Sequence, residues 1–154
     1  MPALTITVQP PREMQVGEVV YPPVIGNLVC QRPHDGYYFF AMAVLLQFDG
    51  SVIDGGLTGT TVSTGVALDA TDSSRPSVVF AFPGMTILYR GVYRIRLDVY
   101  MVAYEHPDRA TLGTQAETRN ITILEEPVAY ARPSDRERDL MRSLRRAGIP
   151  VPEP

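Results

Sequence analysis

The 154-residue chain contains no lysine, one cysteine and two histidines, and it has no run of about 18 apolar residues. Each shortage closes off a class of function. Without a long apolar run, no helix is expected to span a membrane. Lone Cys30 cannot form an internal disulfide, and within VIGNLVC it reads as a small buried thiol. His34 and His106 each stand beside a proline in loop-like segments, with no Cys/His cluster and no HExxH, so no zinc site is expected. LTGTTVSTG lacks the lysine and the strand–helix setting of a phosphate-binding loop. The acids at 49 and 54 in DGSVIDGG have the spacing of a turn rather than of a calcium loop. No catalytic residue, metal ligand or cofactor site can be named, and the chain reads as a non-enzyme.

The opening MPALTITVQPP has no basic start followed by an apolar stretch, so no secretory signal is expected. With the lone cysteine, this points to a reducing, intracellular compartment, where the sequon at Asn120 has no role. Net charge is −3, which gives no general attraction to nucleic acid. All 14 cations are arginine, so every cationic contact comes from a planar guanidinium fork suited to phosphate or carboxylate. A hydrophobic fraction of 45% and a charged fraction of 20% describe a globular chain, and the length is that of one domain.

What the sequence has in abundance is period-two alternation. LTITV (4–8), VIGNLVC (24–30), YYFFAMAVLLQF (37–48), VVFAF (78–82), YRGVYRIRLDVYMVAY (89–104) and ETRNITIL (117–124) read as strands. Residues 57–68, rich in Thr and Val, read as edge strands with a bulge at Gly59 or Gly65, and Gly26 marks another possible bulge. Residues 37–48 are apolar throughout, as in a central strand buried on both sides or over much of its length. Segments 12–23, 32–36, 70–77 and 106–115 read as loops. About seven short strands with turns between them predict an antiparallel β-sandwich.

Only the end departs from this pattern. Residues 134–147 predict a helix with Ser134 as N-cap and Glu137 completing a capping box. Asp135 in the first turn and Arg145 and Arg146 in the last suit the helix dipole, and Gly148 and Pro150 stop the helix. Leu140, Met141 and Leu144 form a stripe expected to dock on the sandwich. Arg138, Arg142, Arg145 and Arg146 lie along one side. They can serve as a phosphate-tracking stripe or as a solvated face answering Glu137, Asp139 and the dipole.

In residues 93–103 the odd positions, from Tyr93 to Ala103, face the core. Gly91 precedes Tyr93 where a loop enters the strand. That spacing resembles the tyrosine corner of Greek-key sandwiches, with Ile95 standing where an immunoglobulin domain has cysteine. Tyr93 and Gly91 therefore read as architectural. On the even face, Arg94, Arg96 and Asp98 suit a solvated surface with a cross-strand ion pair. Tyr100, Val102 and Tyr104 require a cover: the C-terminal helix, a loop, or another subunit.

FAFPGMTILYRGVYRIRLDVY, with LTGTTVS upstream, an early QPP, YPPVIGNLVC, and a closing helix ending in AGIPV, resembles the velvet domain of fungal regulatory proteins. The similarity runs from about Leu4 to Val151, and FPGMTILYRGVYRIRL is its most specific part. The resemblance implies one velvet-like domain over residues 1–154, immunoglobulin-like and similar to Rel-homology domains. It implies homo- or heterodimers with another velvet-domain protein, presence in nucleus and cytoplasm, and control of development, sporulation and secondary metabolism. It also implies contact with double-stranded DNA through the dimer. Velvet domains carry a Lys/Arg cluster in the loop after the early QP; here that segment is REMQVGEVVYPP, where Arg12 is the only cation against Glu13 and Glu18. One arginine does not replace a cluster, because phosphate affinity scales with the number of cations engaged. Candidate DNA contacts are thus Arg12, Arg138, Arg142, Arg145 and Arg146. The alternative is an immunoglobulin-like protein-interaction module with no direct DNA role.

Overall fold

The computed structural model describes residues 3–29, 36–68, 77–130 and 132–152. Cys30, His34 and most of the loops expected at 32–36 and 70–77 lie outside the described residues. In chain order the strands are β1 (Ala3–Val8), β2 (Glu13–Gln15), β3 (Val24–Val29), β4 (Tyr37–Gln47), β5 (Leu57–Thr58) and β6 (Val62–Thr64). There follow β7 (Val66–Leu68), β8 (Ser77–Phe82), β9 (Thr86–Ile87), β10 (Gly91–Ala103), β11 (Thr111–Glu117), β12 (Ile121–Leu124) and the helix α1 (Asp135–Arg146).

The strands form two main sheets. One has the order β1-β3-β8-β7; the other runs β2-β12-β10-β4-β6, with β11 also beside β10. This division, first, second and two middle strands in one sheet against the long central pair and the last strands in the other, is that of an immunoglobulin-like sandwich. Pairing is antiparallel except between β2 and β12, which run parallel. Inward residues of both sheets, among them Leu28, Phe80, Phe82, Leu45, Ile95, Leu97 and Ile121, make one buried core. A two-stranded piece, β5 with β9, closes one end.

The alternation predicted in residues 93–103 holds where it matters most: Tyr93, Ile95, Leu97 and Val99 are buried in that core, and Met101 packs against it. The tyrosine corner is present. The Tyr93 hydroxyl donates to the Arg90 carbonyl at 2.9 Å. Gly91 has φ 147°, and a Cβ there would lie 2.9 Å from the phenol oxygen, so only glycine fits under the ring.

Several local expectations are corrected. Residues 111–117 form β11 rather than part of a loop, and 117–124 is not one strand. The chain breaks at Thr118, whose buried hydroxyl accepts from the Ile95 amide at 3.0 Å and donates to the Arg119 carbonyl. Residues 13–15 form a short strand instead of a loop, held by β12. The bulge assigned to Gly26 lies opposite it, in β1 between Ile6 and Val8. Gly65 is the point where the chain leaves one sheet for the other. A Cβ there would meet Val78 Cγ1 at 2.2 Å, so a side chain would keep the crossing from closing.

The helix follows its punctuation. Ser134 Oγ accepts from the Glu137 amide, and Glu137 accepts from the Ser134 amide, completing the capping box. At the far end Ile149 N donates to the Leu144 carbonyl and Gly148 N to that of Arg145, with Gly148 at φ 86°: a Schellman ending. Met141 and Leu144, joined by Ile149 and Val151, bury against Val8, Ile25, Val79 and Ala81. The helix thus covers the outer face of the four-stranded sheet. No helix among the described residues is long and apolar enough to cross a membrane.

Candidate functional site: the outer face of the larger sheet

The registers of β4, β6, β10 and β11 define which side chains share the outer face. Tyr100 stands opposite Phe40 and Leu112, and Phe40 opposite Thr64. Asp98 stands opposite Met42 and Gln115, and Met42 opposite Val62. Val102 faces Tyr38, and Arg96 faces Val44. Apart from Gln47, residues 37–48 carry apolar or aromatic side chains on both faces of β4, and on the inner face Phe39, Ala41, Ala43 and Leu45 are buried. Met42, Val62, Leu112 and Tyr104 are 38%, 52%, 47% and 64% exposed. Of the two expectations for this strand, burial over much of its length holds and full burial on both sides does not: on the outer side Leu46 is buried, Tyr38, Phe40 and Val44 are half-buried, and Met42 is exposed.

Two ring pairs order that surface. Phe40 and Tyr100 stack with centroids 5.1 Å apart, and Tyr38 and Tyr104 meet at 5.4 Å in a tilted arrangement. Beside Tyr38 and between the two tyrosines of its own strand, Val102 is buried. Of the three covers open to Tyr100, Val102 and Tyr104, the helix is eliminated, since it lies on the other sheet. Val102 is also withdrawn as a residue that a partner would touch, because neighbouring side chains already enclose it. Tyr100 remains half-buried and Tyr104 open.

The other end of the face is polar, and its buried carboxylate is fully engaged. Arg96 grips Asp98 with two bonds, Nε to Oδ1 at 2.7 Å and a terminal nitrogen to Oδ2 at 3.1 Å, and Gln115 Nε2 donates to Oδ1 at 2.9 Å. This network allows Asp98 to be buried, and the bond to Asp98 holds the Arg96 guanidinium above its ordinary pKa against the opposing effect of burial. The ion pair of Arg96 therefore runs along one strand. The cross-strand pair is Arg94 with Glu117, at 3.3 Å.

The arginines named as nucleic-acid contacts are not brought together. Arg12 stands just before β2, where its carbonyl accepts from the Thr122 amide and its side chain is exposed. The other four are on α1, over the smaller sheet. Arg138 pairs with Asp135 and Arg142 with Asp139 at 3.8 Å. Arg145 is half-buried and donates through Nε to the Val151 carbonyl at 3.0 Å, which takes it out of the set free for phosphate. Arg145 also acts on Tyr21, whose buried phenol is pushed above its ordinary pKa by desolvation and pulled back by the arginine's charge. Arg146 is exposed with no acidic partner among the described residues. His106 is exposed. No group of three or more His, Cys, Asp or Glu among the described residues is placed to hold a metal.

Sequence reasoning found Tyr100 and Tyr104 but missed Phe40, Tyr38, Met42, Val62 and Leu112. Only strand register joins them to the β10 pair. A usable signal was the absence of any polar residue at the even positions from Tyr38 to Leu46.

No family model and no curated protein matches the chain. Among solved structures it is similar to the self-complemented MyfA, the major subunit of Myf fimbriae from Yersinia enterocolitica. The identity is 12% over 79% of this chain and 95% of that one, with a TM-score of 0.28. At that overlap the likeness carries nothing about function, and the immunoglobulin-like assignment rests on the strand order described above.

Proposed function

We propose that this chain is a velvet-type regulatory domain of the nucleus and cytoplasm that acts by pairing with another protein of its kind in the control of development, sporulation and secondary metabolism. In this reading the partner supplies most of the DNA contact. The observation that carries the pairing is the cluster of exposed Met42, Val62 and Leu112 beside half-buried Phe40 and Tyr100 on the outer face of the larger sheet. Faces of this kind, apolar at the centre with tyrosine and arginine present, suit protein contact. The velvet assignment is supported by the resemblance of FPGMTILYRGVYRIRL, which spans the end of β8, β9, the tyrosine corner and the first half of β10.

The minor DNA role follows from charge. Arg138 and Arg142 answer acids one turn away, Arg145 answers a carbonyl, and Arg12 and Arg146 stand on different elements. Each phosphate neutralised contributes about 0.9 to the slope of log affinity against log salt, so two free arginines give a slope near −2. Titration of a DNA duplex with the lone chain at low and moderate salt is expected to show weak, unselective binding with that shallow slope. Tight, sequence-selective binding by the lone chain refutes the division of labour. A second reading, an interaction module with no DNA role, is favoured by those same pairings; it predicts no binding and no slope, alone or with a partner.

A further inference from the structure

We propose that the cleft between β2 and residues 127–130 binds an extended, cation-bearing segment of another protein. The segment adds to the free edge of β2 and places one arginine or lysine side chain among the carboxylates and rings of the cleft. This site lies at a different place from the face assigned to pairing, and it needs neither DNA nor the velvet relationship.

The edge comes first. β2 is the outermost strand at one side of the larger sheet and pairs with β12 alone. Thr122 N donates to the Arg12 carbonyl and Val16 N to that of Leu124, both at 2.8 Å. Backbone groups alternate in direction along a strand, so Arg12, Met14 and Val16 turn theirs to β12, while Glu13 and Gln15 turn theirs away. The Gln15 carbonyl accepts from the Glu18 amide at 3.3 Å. The Glu13 amide and carbonyl and the Gln15 amide have no partner among the described residues. Residues 127–130, the other wall of the cleft, likewise make no backbone hydrogen bond among the described residues. A strand edge with unpaired donors and acceptors is a template for an added strand.

The cleft then selects the occupant. Met14, Val19, Tyr21 and Tyr130 give it apolar and aromatic walls, Glu13 and Glu18 line it with carboxylates, and no described arginine lines it. Glu125 and Glu126 stand where the chain enters residues 127–130. Of these four acids only Glu125 has an ion-pair partner among the described residues, Arg90 at 3.6 Å. The volume is about 190 Å³, below the roughly 300–1,000 Å³ of small-molecule sites and suited to one long side chain. Aromatic rings beside unpaired carboxylates favour a cation, which gains from ring faces and opposite charge together. Its aliphatic stem covers Tyr130 and Val19, which are 82% and 53% exposed. The Tyr21 hydroxyl is buried with no hydrogen-bond partner among the described residues, and a backbone carbonyl of the incoming segment supplies an acceptor. Arg145 acts on Tyr21, but it is held by the Val151 carbonyl and does not line the cleft. Three residues of edge give only a few backbone bonds, so the cationic side chain decides the affinity.

The test is fluorescence anisotropy of the full chain with dye-labelled heptapeptides of alternating threonine and valine, carrying arginine, lysine, glutamate or leucine at the centre. The arginine and lysine peptides are expected to bind with a Kd of roughly 100 μM, and the other two at least about tenfold more weakly. Glu13→Arg and Glu18→Arg, both at exposed positions, are each expected to weaken the arginine peptide by at least about tenfold. Glu105→Arg, the same change of charge beyond the end of β10 remote from β12, is expected to change nothing. Should a charge reversal disturb β2, Tyr130→Ala, at a position 82% exposed, is expected to weaken binding about threefold. Hydrogen exchange at the Glu13 and Gln15 amides is expected to slow when the arginine peptide is bound. No binding by the arginine and lysine peptides at about 1 mM, or equal binding of all four, overturns the proposal. So does binding that leaves those two amides or the three cleft variants unaffected. None of these outcomes bears on pairing through the larger sheet, so the two readings fail separately.

Discussion

The two outer faces of this sandwich start from similar chemistry and end differently. On the smaller sheet Val8, Ile25, Val79 and Ala81 point outward, and α1 covers them with Met141, Leu144, Ile149 and Val151. On the larger sheet Phe40, Met42, Val44, Val62, Tyr100 and Leu112 point outward, and nothing in the described chain lies over them. A β-sheet needs one buried face to be stable, and the common core supplies that for both. A third layer is therefore optional. Where the chain provides one, the face contributes to folding; where it does not, the apolar side chains stay partly exposed, which is the feature on which the proposed pairing rests.

The contrast can be tested most strongly on the covered side. Leu144→Ala and Met141→Ala empty space between helix and sheet, and each is expected to cost about 2–4 kcal/mol in urea unfolding. A loss below about 1 kcal/mol for both would mean that the helix is not a structural layer and that the two faces are alike.

Asp98→Ala probes the satisfied end of the open face. It leaves Arg96 and Gln115 without their acceptor, but the Arg96 side chain is 24% exposed and water compensates in part. The expected cost is about 1–2 kcal/mol by the same assay, below that of a fully enclosed pair.

Removing the corner bond with Tyr93→Phe is expected to cost about 1 kcal/mol near pH 7. Its pH dependence has a definite sign. Burial raises the Tyr93 pKa above the ordinary 10.0, so the unfolded chain loses that proton first. The stabilisation is full below pH 10 and declines as pH climbs toward the folded-state value. Phenylalanine cannot ionise, so the gap between wild type and variant should narrow in unfolding curves above that pH. A gap that widens would contradict a buried, neutral phenol.

The smallest effect belongs to the open face. Met42→Ala, measured dilute enough to keep the chain monomeric, is expected to change unfolding by no more than about 0.5 kcal/mol. Compared with Met141→Ala, it gives the same substitution on two outer faces; equal costs would end the distinction between them.

How much was legible depended on how far apart the interacting residues are in the chain. The capping box joins Ser134 to Glu137, the tyrosine corner joins Tyr93 to Arg90, and both follow from spacing alone. The helix–sheet contact was half legible. The stripe of Leu140, Met141 and Leu144 announced a docking face without saying which sheet receives it. β11 was missed because TLGTQAE alternates weakly, and it becomes a strand only by pairing with Met101 through Arg96. The arginine set looked like one stripe because sequence shows helix position but not partners; Asp135, Asp139 and the Val151 carbonyl answer three of the four.

From sequence alone came the alternating strands, the punctuation of the helix and the corner at Tyr93, since backbone periodicity and hydrogen bonds a few residues long require nothing from distant segments. Tertiary structure decided which outer face the helix covers and that Phe40, Tyr100 and Leu112 share one surface. Those facts depend on registers between segments as far apart as Tyr37 and Ala103, fixed by the packing of the whole core.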